Sequence, residues 1–344
     1  MAKSDLYKAA GVDIDLAHTL LDRVKAKIAN TKRPEMLAPI GGFGGLFQID
    51  LSKYREPVMV ASIDGVGTKL VIAMEMNKFD TVGFDIVNHC VNDIAVQGAE
   101  PVYFLDYIGI GTLRSPLYEE VLGGIADACK AQNCAVLGGE TAEMPGMYGN
   151  DFDLVGVITG MVEKSRIITG ENIRPGNVAL GIKSSGLHTN GFSLARKILK
   201  DNGISVHDRL PELNGVSVGE ALLEPHLCYW PAIKEALAQE IKLNGIAHIT
   251  GGGLYDNVPR VLPKTVNVVF DSSKIEAPPI FDCLCKLGNV GKEEAYRVFN
   301  MGAGMVWFVP GEDAERALKI IEDAGFTGWQ IGEVVEGSGE VTVL

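Results

Sequence analysis

The sequence is short of positive charge, lacks a paired-cysteine motif and has no long apolar run. Each absence closes off a class of function. Over 344 residues, Lys and Arg total 31 against 44 Asp and Glu, a formal net charge of −13. A protein that grips nucleic acid through its phosphates needs a basic surface, so a nucleic-acid partner is excluded. An anionic small substrate must instead be met by local donors or a metal, because the overall field repels it. The cysteines, Cys90, Cys129, Cys134, Cys228, Cys283 and Cys285, contain no CxxC pair. Their apolar or helix-like settings predict buried, reduced thiols, not a zinc site or a disulfide framework. No apolar run approaches the roughly 18 residues of a membrane span, and the stretch MAKSDLYKAAGVDID has no apolar signal segment. The expectation is a cytoplasmic protein without a membrane partner.

What is present suits two domains: hydrophobic residues make up 47% of a chain too long for one ordinary core. Leu16, Leu20, Val24 and Ile28 recur at helical spacing. The next stretch, TKRPEMLAPIGGFGGLFQID, holds a Pro and four clustered glycines and predicts a mobile loop. Strand-like and helix-like stretches then alternate up to a turn-rich break at 165–176, SRIITGENIRPG, after which the pattern restarts. Two α/β-type (α+β) domains are expected, 1–168 and 169–344. GLYDNVPRVLP is expected to be helical, and two strands to end the chain.

The stretch SIDGVGTKL (62–70) follows the strand-like run PVMVA and resembles a phosphate loop written in the wrong order. A P-loop needs Lys before Ser/Thr, whereas here Thr68 precedes Lys69 and a carboxylate, Asp64, opens the loop. Gly65 and Gly67 allow close backbone approach, a helix starting near Gly67 offers N–H groups to an anion, and Lys69 adds a point charge. Asp64 contradicts a bare phosphate site, and a bridging Mg²⁺ removes the contradiction. Asp93 and Glu140 also lie in or beside apolar elements. Three hard oxygen ligands suit Mg²⁺ shared with nucleotide phosphates; each one alone reads as readily as a turn cap.

In the second half, SSGLHTNGFSLARK sets Ser184, Ser185, Gly186, His188, Thr189 and Asn190 between a strand and a helix. Hydroxyls, glycine N–H groups and a helix start suit a phosphate monoester, and His188 could donate or move a proton. A Ser/Thr-rich helix cap with a surface His is the plain alternative. The junction AHITGGGLYDN places His248 before Gly251, Gly252 and Gly253. Three successive glycines are costly in chain entropy, which favours close approach to a ligand. His18, His207 and His226 read as ordinary helix or loop residues, with His89 set apart by lying one turn from Asp93.

With these motifs, the chain resembles the phosphoribosylformylglycinamidine cyclo-ligase (AIR synthetase) family. The matching stretches are AGVDID, GGFGG, DGVGTKL, CVNDIAVQGAEP, FLDY, GGETAEMPGMY, SSGLHTNGFSLARKIL, HITGGGLYDNVPRVLP and FNMGAGM, in order over nearly the whole chain. The resemblance implies an N-terminal ATP- and Mg²⁺-binding domain whose strands join a second subunit's in a barrel, making a homodimer, and a C-terminal α/β domain. It implies a nucleotide in a groove involving both domains or both subunits. The implied reaction takes ATP and formylglycinamidine ribonucleotide to aminoimidazole ribonucleotide, ADP and phosphate, with Mg²⁺ and a stimulating K⁺. On that reading Asp64, Asp93 and Glu140 hold Mg²⁺, while Lys69 and the backbone of 65–68 steady the triphosphate. The loop carrying Gly42 and Gly44 closes over it, and Lys25 or Lys27 reaches the nucleotide. Residues 184–191 and 250–253 hold the ribonucleotide, with His188 the first candidate and His248 the second for polarising the formyl group or moving a proton. The nearest rivals are a kinase of the thiamine-phosphate type, a selenophosphate synthetase, the glutamine-dependent amidine synthetase and a silent nucleotide-binding scaffold. A selenophosphate synthetase uses a Cys or selenocysteine near an N-terminal glycine-rich loop, and the first Cys here is Cys90. No glutaminase module is present, and a silent scaffold is expected to have lost one of the three carboxylates.

Overall fold

The computed structural model describes residues 3–344. They form two compact units, one of the residues up to 94 together with 101–163, the other of 95–100 and 164–344. The first unit is built on a four-stranded sheet. Its strands are β1 (Pro57–Gly65), β2 (Glu100–Ile110), β3 (Ala135–Glu143) and β4 (Phe152–Glu163), in the order β1-β4-β2-β3. β1 runs antiparallel to β4, and β2 parallel to β3. Val102, Phe104, Ile108 and Ile110 of β2 are buried, together with Ile86, Val87, Cys90 and Val91 of the helix Val82–Ala95. That helix meets the helix Leu117–Ala131 closely at Gly83, where a β-carbon would stand 2.4 Å from the Val121 carbonyl oxygen. Only glycine permits that approach.

The helix Ile14–Ala29 buries Leu20 and Val24, and the Asp13 carboxylate caps it by accepting from the Leu16 N–H at 3.1 Å. The glycine-rich segment that follows is irregular, with one isolated bridge, Met36 to Phe47. Arg33 anchors its base: the buried guanidinium donates to the carbonyls of Pro101 and Asn133 and pairs with Glu35 at 3.1 Å.

The second unit holds a six-stranded sheet of β5 (Asn177–Lys183), β6 (Gly245–His248), β7 (Val266–Phe270), β8 (Ala303–Pro310), β9 (Gly328–Glu336) and β10 (Val341–Val343). The spatial order is β10-β7-β9-β5-β8-β6, and only the β10–β7 pairing is parallel. Alternating helices and strands therefore do not make this a parallel sheet. The last two strands are not neighbours either, since β7 lies between them. The helix expected across GLYDNVPRVLP stops early: Gly253–Asn257 is helical and Val258–Arg260 is a 3-10 turn. Pro259 has no N–H with which to continue the ladder. Five of the six cysteines are buried and Cys285 is half-buried, all as free thiols. Among the described residues, no helix is long and apolar enough to cross a membrane.

Candidate functional site

Two groups of polar residues gather at strand-to-helix junctions, one in each unit. In the first unit, strand alternation puts Ser62 and Asp64 of β1 on one face, and helical spacing puts His89 and Asp93 one turn apart. The His89 Nε2 lies 2.9 Å from Asp64 Oδ2 and 3.6 Å from Asp93 Oδ2. The Ser62 hydroxyl donates to Asp93 Oδ2 at 3.0 Å, and the Gly65 N–H to Asp64 Oδ1 at 2.7 Å. Burial works against the charged forms, yet the attraction between the imidazole and the carboxylates outweighs it. His89 is held above its ordinary pKa by Asp64 and Asp93, and Asp64 below its own by His89. One imidazole thus lies between two carboxylates at the end of β1. Carboxylate oxygens of this kind suit a divalent cation that also takes phosphate oxygens and keeps water.

Glu140 does not join them. It is exposed on β3, and among the described residues no cluster of three ligand atoms within 4.8 Å contains Asp64, Asp93 and Glu140.

Lys69 also departs from expectation. Its side chain is 0% exposed and its Nζ sits 2.8 Å from both carboxylate oxygens of Asp85, which is equally buried. The charge expected to face phosphate is neutralised inside the protein, where it ties the start of the helix Lys69–Met76 to the helix Val82–Ala95. The N–H groups of Gly65 and Val66 are spent on Asp64 and on the Leu154 carbonyl, which leaves the exposed Gly67 and Thr68 as the part of the loop turned to solvent. Gly67 has φ +69° with nothing within 4 Å of a notional β-carbon, and Thr68 stands at the helix N-cap. Gly42 and Gly44 lie in the exposed loop. Lys25 and Lys27 are exposed, paired with Asp22 at 3.5 Å and Asp127 at 2.8 Å.

In the second unit, β5 leads into 184–191 and β6 into 250–253. His188 takes a positive φ of 60°, its ring buried, and its Nε2 accepts from the Ser185 N–H at 3.4 Å. The two serines are committed locally: Ser184 donates to Asn300 Oδ1 at 2.8 Å and Ser185 to the Pro225 carbonyl. They build the loop and do not supply hydroxyl protons to a phosphate. Asn300 also donates to the Gly186 carbonyl at 2.9 Å, so one side chain fixes both ends of that turn. The Asn257 amide spans the glycine run, donating to the carbonyls of Thr250, Gly251 and Gly253 at 3.3, 3.1 and 2.8 Å. Gly253 admits no side chain, because a β-carbon there would lie 1.9 Å from the Tyr296 carbonyl oxygen. Asn190, Gly251 and Gly252 remain at least partly exposed beside the buried imidazoles.

Those imidazoles are three. His226 stacks on His188, with centroids 4.0 Å apart and planes at 19°, and its Nε2 lies 3.0 Å from His248 Nε2.

Comparison with known proteins bears on both groups. The AIR synthase related protein family matches this chain twice, its N-terminal domain over residues 50–162 and its C-terminal domain over 174–344. A phosphoribosylformylglycinamidine cyclo-ligase of Anaeromyxobacter sp. (strain Fw109-5) is 47% identical over 337 residues, 98% of this chain and 97% of that one. The chain belongs to the phosphoribosylformylglycinamidine cyclo-ligase family.

Solved structures share the fold at low identity. Thiamine-monophosphate kinase from Stenotrophomonas maltophilia K279a superposes with a TM-score of 0.66 at 16% identity, covering 94% of this chain and 95% of that one. Hydrogenase maturation protein HypE in complex with ATP gives 0.66 at 16%, covering 95% and 90%. Within the cyclo-ligase family frame, sequence reading passed over Asp85, Asn257, Asn300 and His226. His89 carried a signal in its four-residue spacing from Asp93. His226 carried none, since its partners are 37 and 22 residues away.

Proposed function

We propose that this chain is a cytoplasmic ATP-dependent cyclo-ligase that converts formylglycinamidine ribonucleotide to 5-aminoimidazole ribonucleotide in purine biosynthesis. The observation that carries the reading is 47% identity, end to end, with a cyclo-ligase of that name. A formamide carbonyl is a poor electrophile because its oxygen leaves badly. The formyl oxygen attacks the γ-phosphorus, ADP departs and the formamide nitrogen gives up its proton, giving an iminophosphate. The neighbouring amidine nitrogen then bonds to the formyl carbon, the carbon–oxygen bond breaks, and phosphate leaves as the nitrogen gives up its proton. Catalysis of this kind is placement and charge neutralisation.

Asp64 and Asp93 are the residues that would hold Mg²⁺, which when bound screens the phosphate charges. Until then His89 keeps the two carboxylates from repelling each other. Gly67 and Thr68 offer backbone to the triphosphate, and Lys69 with Asp85 keeps that loop in place from beneath. Asn190, Gly251 and Gly252 face the ribonucleotide, and His188 and His248 are placed to polarise the formyl group or take the proton. K⁺ stimulates the reaction.

The chain works as a homodimer in which the N-terminal sheets of two copies close into a barrel. Supporting this, the outer face of β1 leaves Met59 and Ile63 at 56% and 66% exposure, and sedimentation velocity showing a monomer at working concentration would remove it.

The fold shared with a kinase makes simple phosphoryl transfer the second reading. Incubating the protein with ATP and formylglycinamidine ribonucleotide separates the two. The diazotisable aminoimidazole product is expected, and ADP release without it would select the kinase.

A further inference from the structure

The glycine-rich loop of the first unit is pinned at both ends and open between them. The Leu37 N–H donates to the Leu46 carbonyl at 3.0 Å and the Gln48 N–H to the Glu35 carbonyl at 2.8 Å. Met36 packs with Ala135 and Leu137 of β3. The Phe47 ring lies 5.7 Å from that of Tyr103, with the Arg33 guanidinium 5.5 Å over it. Gly45 belongs to the pinned part, because a β-carbon there would stand 2.3 Å from the Leu137 side chain.

Gly42 and Gly44 have no such reason to be glycine. A β-carbon at Gly42 would meet nothing closer than 3.7 Å, one at Gly44 nothing within 4 Å, and neither residue takes a left-handed φ. Between them Phe43 stands at 118% exposure. Glycine loses more freedom on ordering than any other residue, and an apolar ring in water gains nothing. This conformation therefore uses neither the glycines nor the ring. Both have a use in a second conformation of the tip that covers Phe43.

The direction of the loop names what would cover it. Phe47 lies at Tyr103, which pairs with Ala135, and Gly45 lies at Leu137, so stepping back along the loop is stepping forward along β3. β3 runs on to Glu140 beside Tyr107 of β2. The end of β2 meets the start of β4 through the Gly111 N–H and the Asp151 carbonyl at 3.4 Å, and Val155 of β4 pairs with Gly65 of β1. The loop is thus directed toward the end of the sheet at which Asp64, Gly67 and Thr68 stand. The chemistry proposed there needs cover. Water that reaches the iminophosphate attacks its phosphorus, returns the formamide and releases phosphate, so ATP is hydrolysed and no ring forms.

We infer that Phe43 is the water-excluding element of this loop: with nucleotide bound, rotation of the backbone at Gly42 and Gly44 carries its ring out of solvent and over the phosphoryl group being transferred. The pinned ends stay in place, so the movement is confined to the tip. The inference rests on the reading that ATP is bound and consumed in the first unit. It adds the side chain that keeps that consumption coupled to ring closure.

Chymotrypsin cuts after exposed aromatic residues, and mass spectrometry of the fragments reads the bond between Phe43 and Gly44. Mg²⁺, a non-hydrolysable ATP analogue and formylglycinamidine ribonucleotide together should slow that cut about 10-fold or more at every protein concentration. Slowing that follows protein concentration and not the nucleotide means that a second copy covers the ring, and overturns the inference. An unchanged rate, with calorimetry showing the analogue bound, overturns it too. Gly42→Ala fits the conformation described, so it should leave the melting midpoint in place and weaken the protection; full protection in this variant overturns the movement at the glycines.

Counting both products tests the role of the ring. The unsubstituted chain should release one ADP for each aminoimidazole formed. Phe43→Ala should release about two or more at an unchanged melting midpoint, with Phe43→Leu between them. Phe43→Ala that keeps the one-to-one ratio overturns water exclusion. If the unsubstituted chain neither binds the analogue nor forms aminoimidazole, the functional reading has failed and the inference falls with it, an outcome that calorimetry separates from failure of the inference alone.

Discussion

At 62–70 and again at 183–192, a strand runs through glycines and a hydroxyl residue into a helix. In the first unit the junction is ionic: Asp64, Asp93 and His89 at its rim, Lys69 and Asp85 buried beneath it. In the second unit the junction is held by neutral groups: Asn300 and the two serines close the turn, and three imidazoles pack face to face or edge to edge behind it. Similar residue texture thus yields two different electrostatic environments. What separates them is the company each loop keeps from distant elements, and that company suits one for a cation with phosphates and the other for a substrate that must be held while a proton moves.

The comparison breaks first if the buried pair is not what holds the ionic junction. Lys69→Met strands the Asp85 charge and should cost about 3–5 kcal/mol of stability, read from urea denaturation. The double variant Lys69→Met with Asp85→Leu should regain most of it. Stability recovered with activity still absent would return Lys69 to a direct role at the phosphates.

Asp93→Asn should cut turnover about 10³-fold, several kcal/mol of barrier, with the circular dichroism spectrum unchanged. Retained turnover would make the acidic pair a structural feature and erase the contrast with the second unit. His188→Ala tests the other side. It should slow turnover about 100-fold, in the range of lost proton transfer, and leave ATP affinity by calorimetry nearly intact. The opposite split would mean that the neutral junction handles ATP.

The smallest effect concerns Asp106 of β2. Burial raises its pKa from 3.8 to about 7. The folded chain therefore keeps this proton through a window in which the unfolded chain has lost it, so stability falls as pH rises from about 4 to about 7 and stays low above. Asp106→Asn should gain about 2 kcal/mol at pH 8 and little at pH 4, flattening the dependence of the melting midpoint on pH.

Much of this was readable in the residues. Alternation and glycine placement located the strands, and Asp64 and Asp93 were singled out by their positions at the end of β1 and on the face of the helix Val82–Ala95. Strand direction was not readable, because a run of alternating helices and strands says nothing of which strand lies beside which; β7 between β9 and β10 is such a case. Side-chain destination was equally hidden. Lys69 looks like a phosphate ligand until Asp85, 16 residues on, is seen beneath it. Nor does the sequence show that Glu140 stands exposed on β3, outside the group formed by Asp64, His89 and Asp93. His226 has no local signal at all, because a stacked imidazole is defined by a fold and not by a motif.

The Asn257 amide has a consequence for how tightly a ligand can be captured. A free run of three glycines is the floppiest backbone a protein can make, and freezing each residue costs about 1–2 kcal/mol. With one side chain stapled across two of its carbonyls and that of Thr250 before it, the run behaves as a rigid tile set before any guest arrives. The guest then spends none of its own affinity on ordering its host.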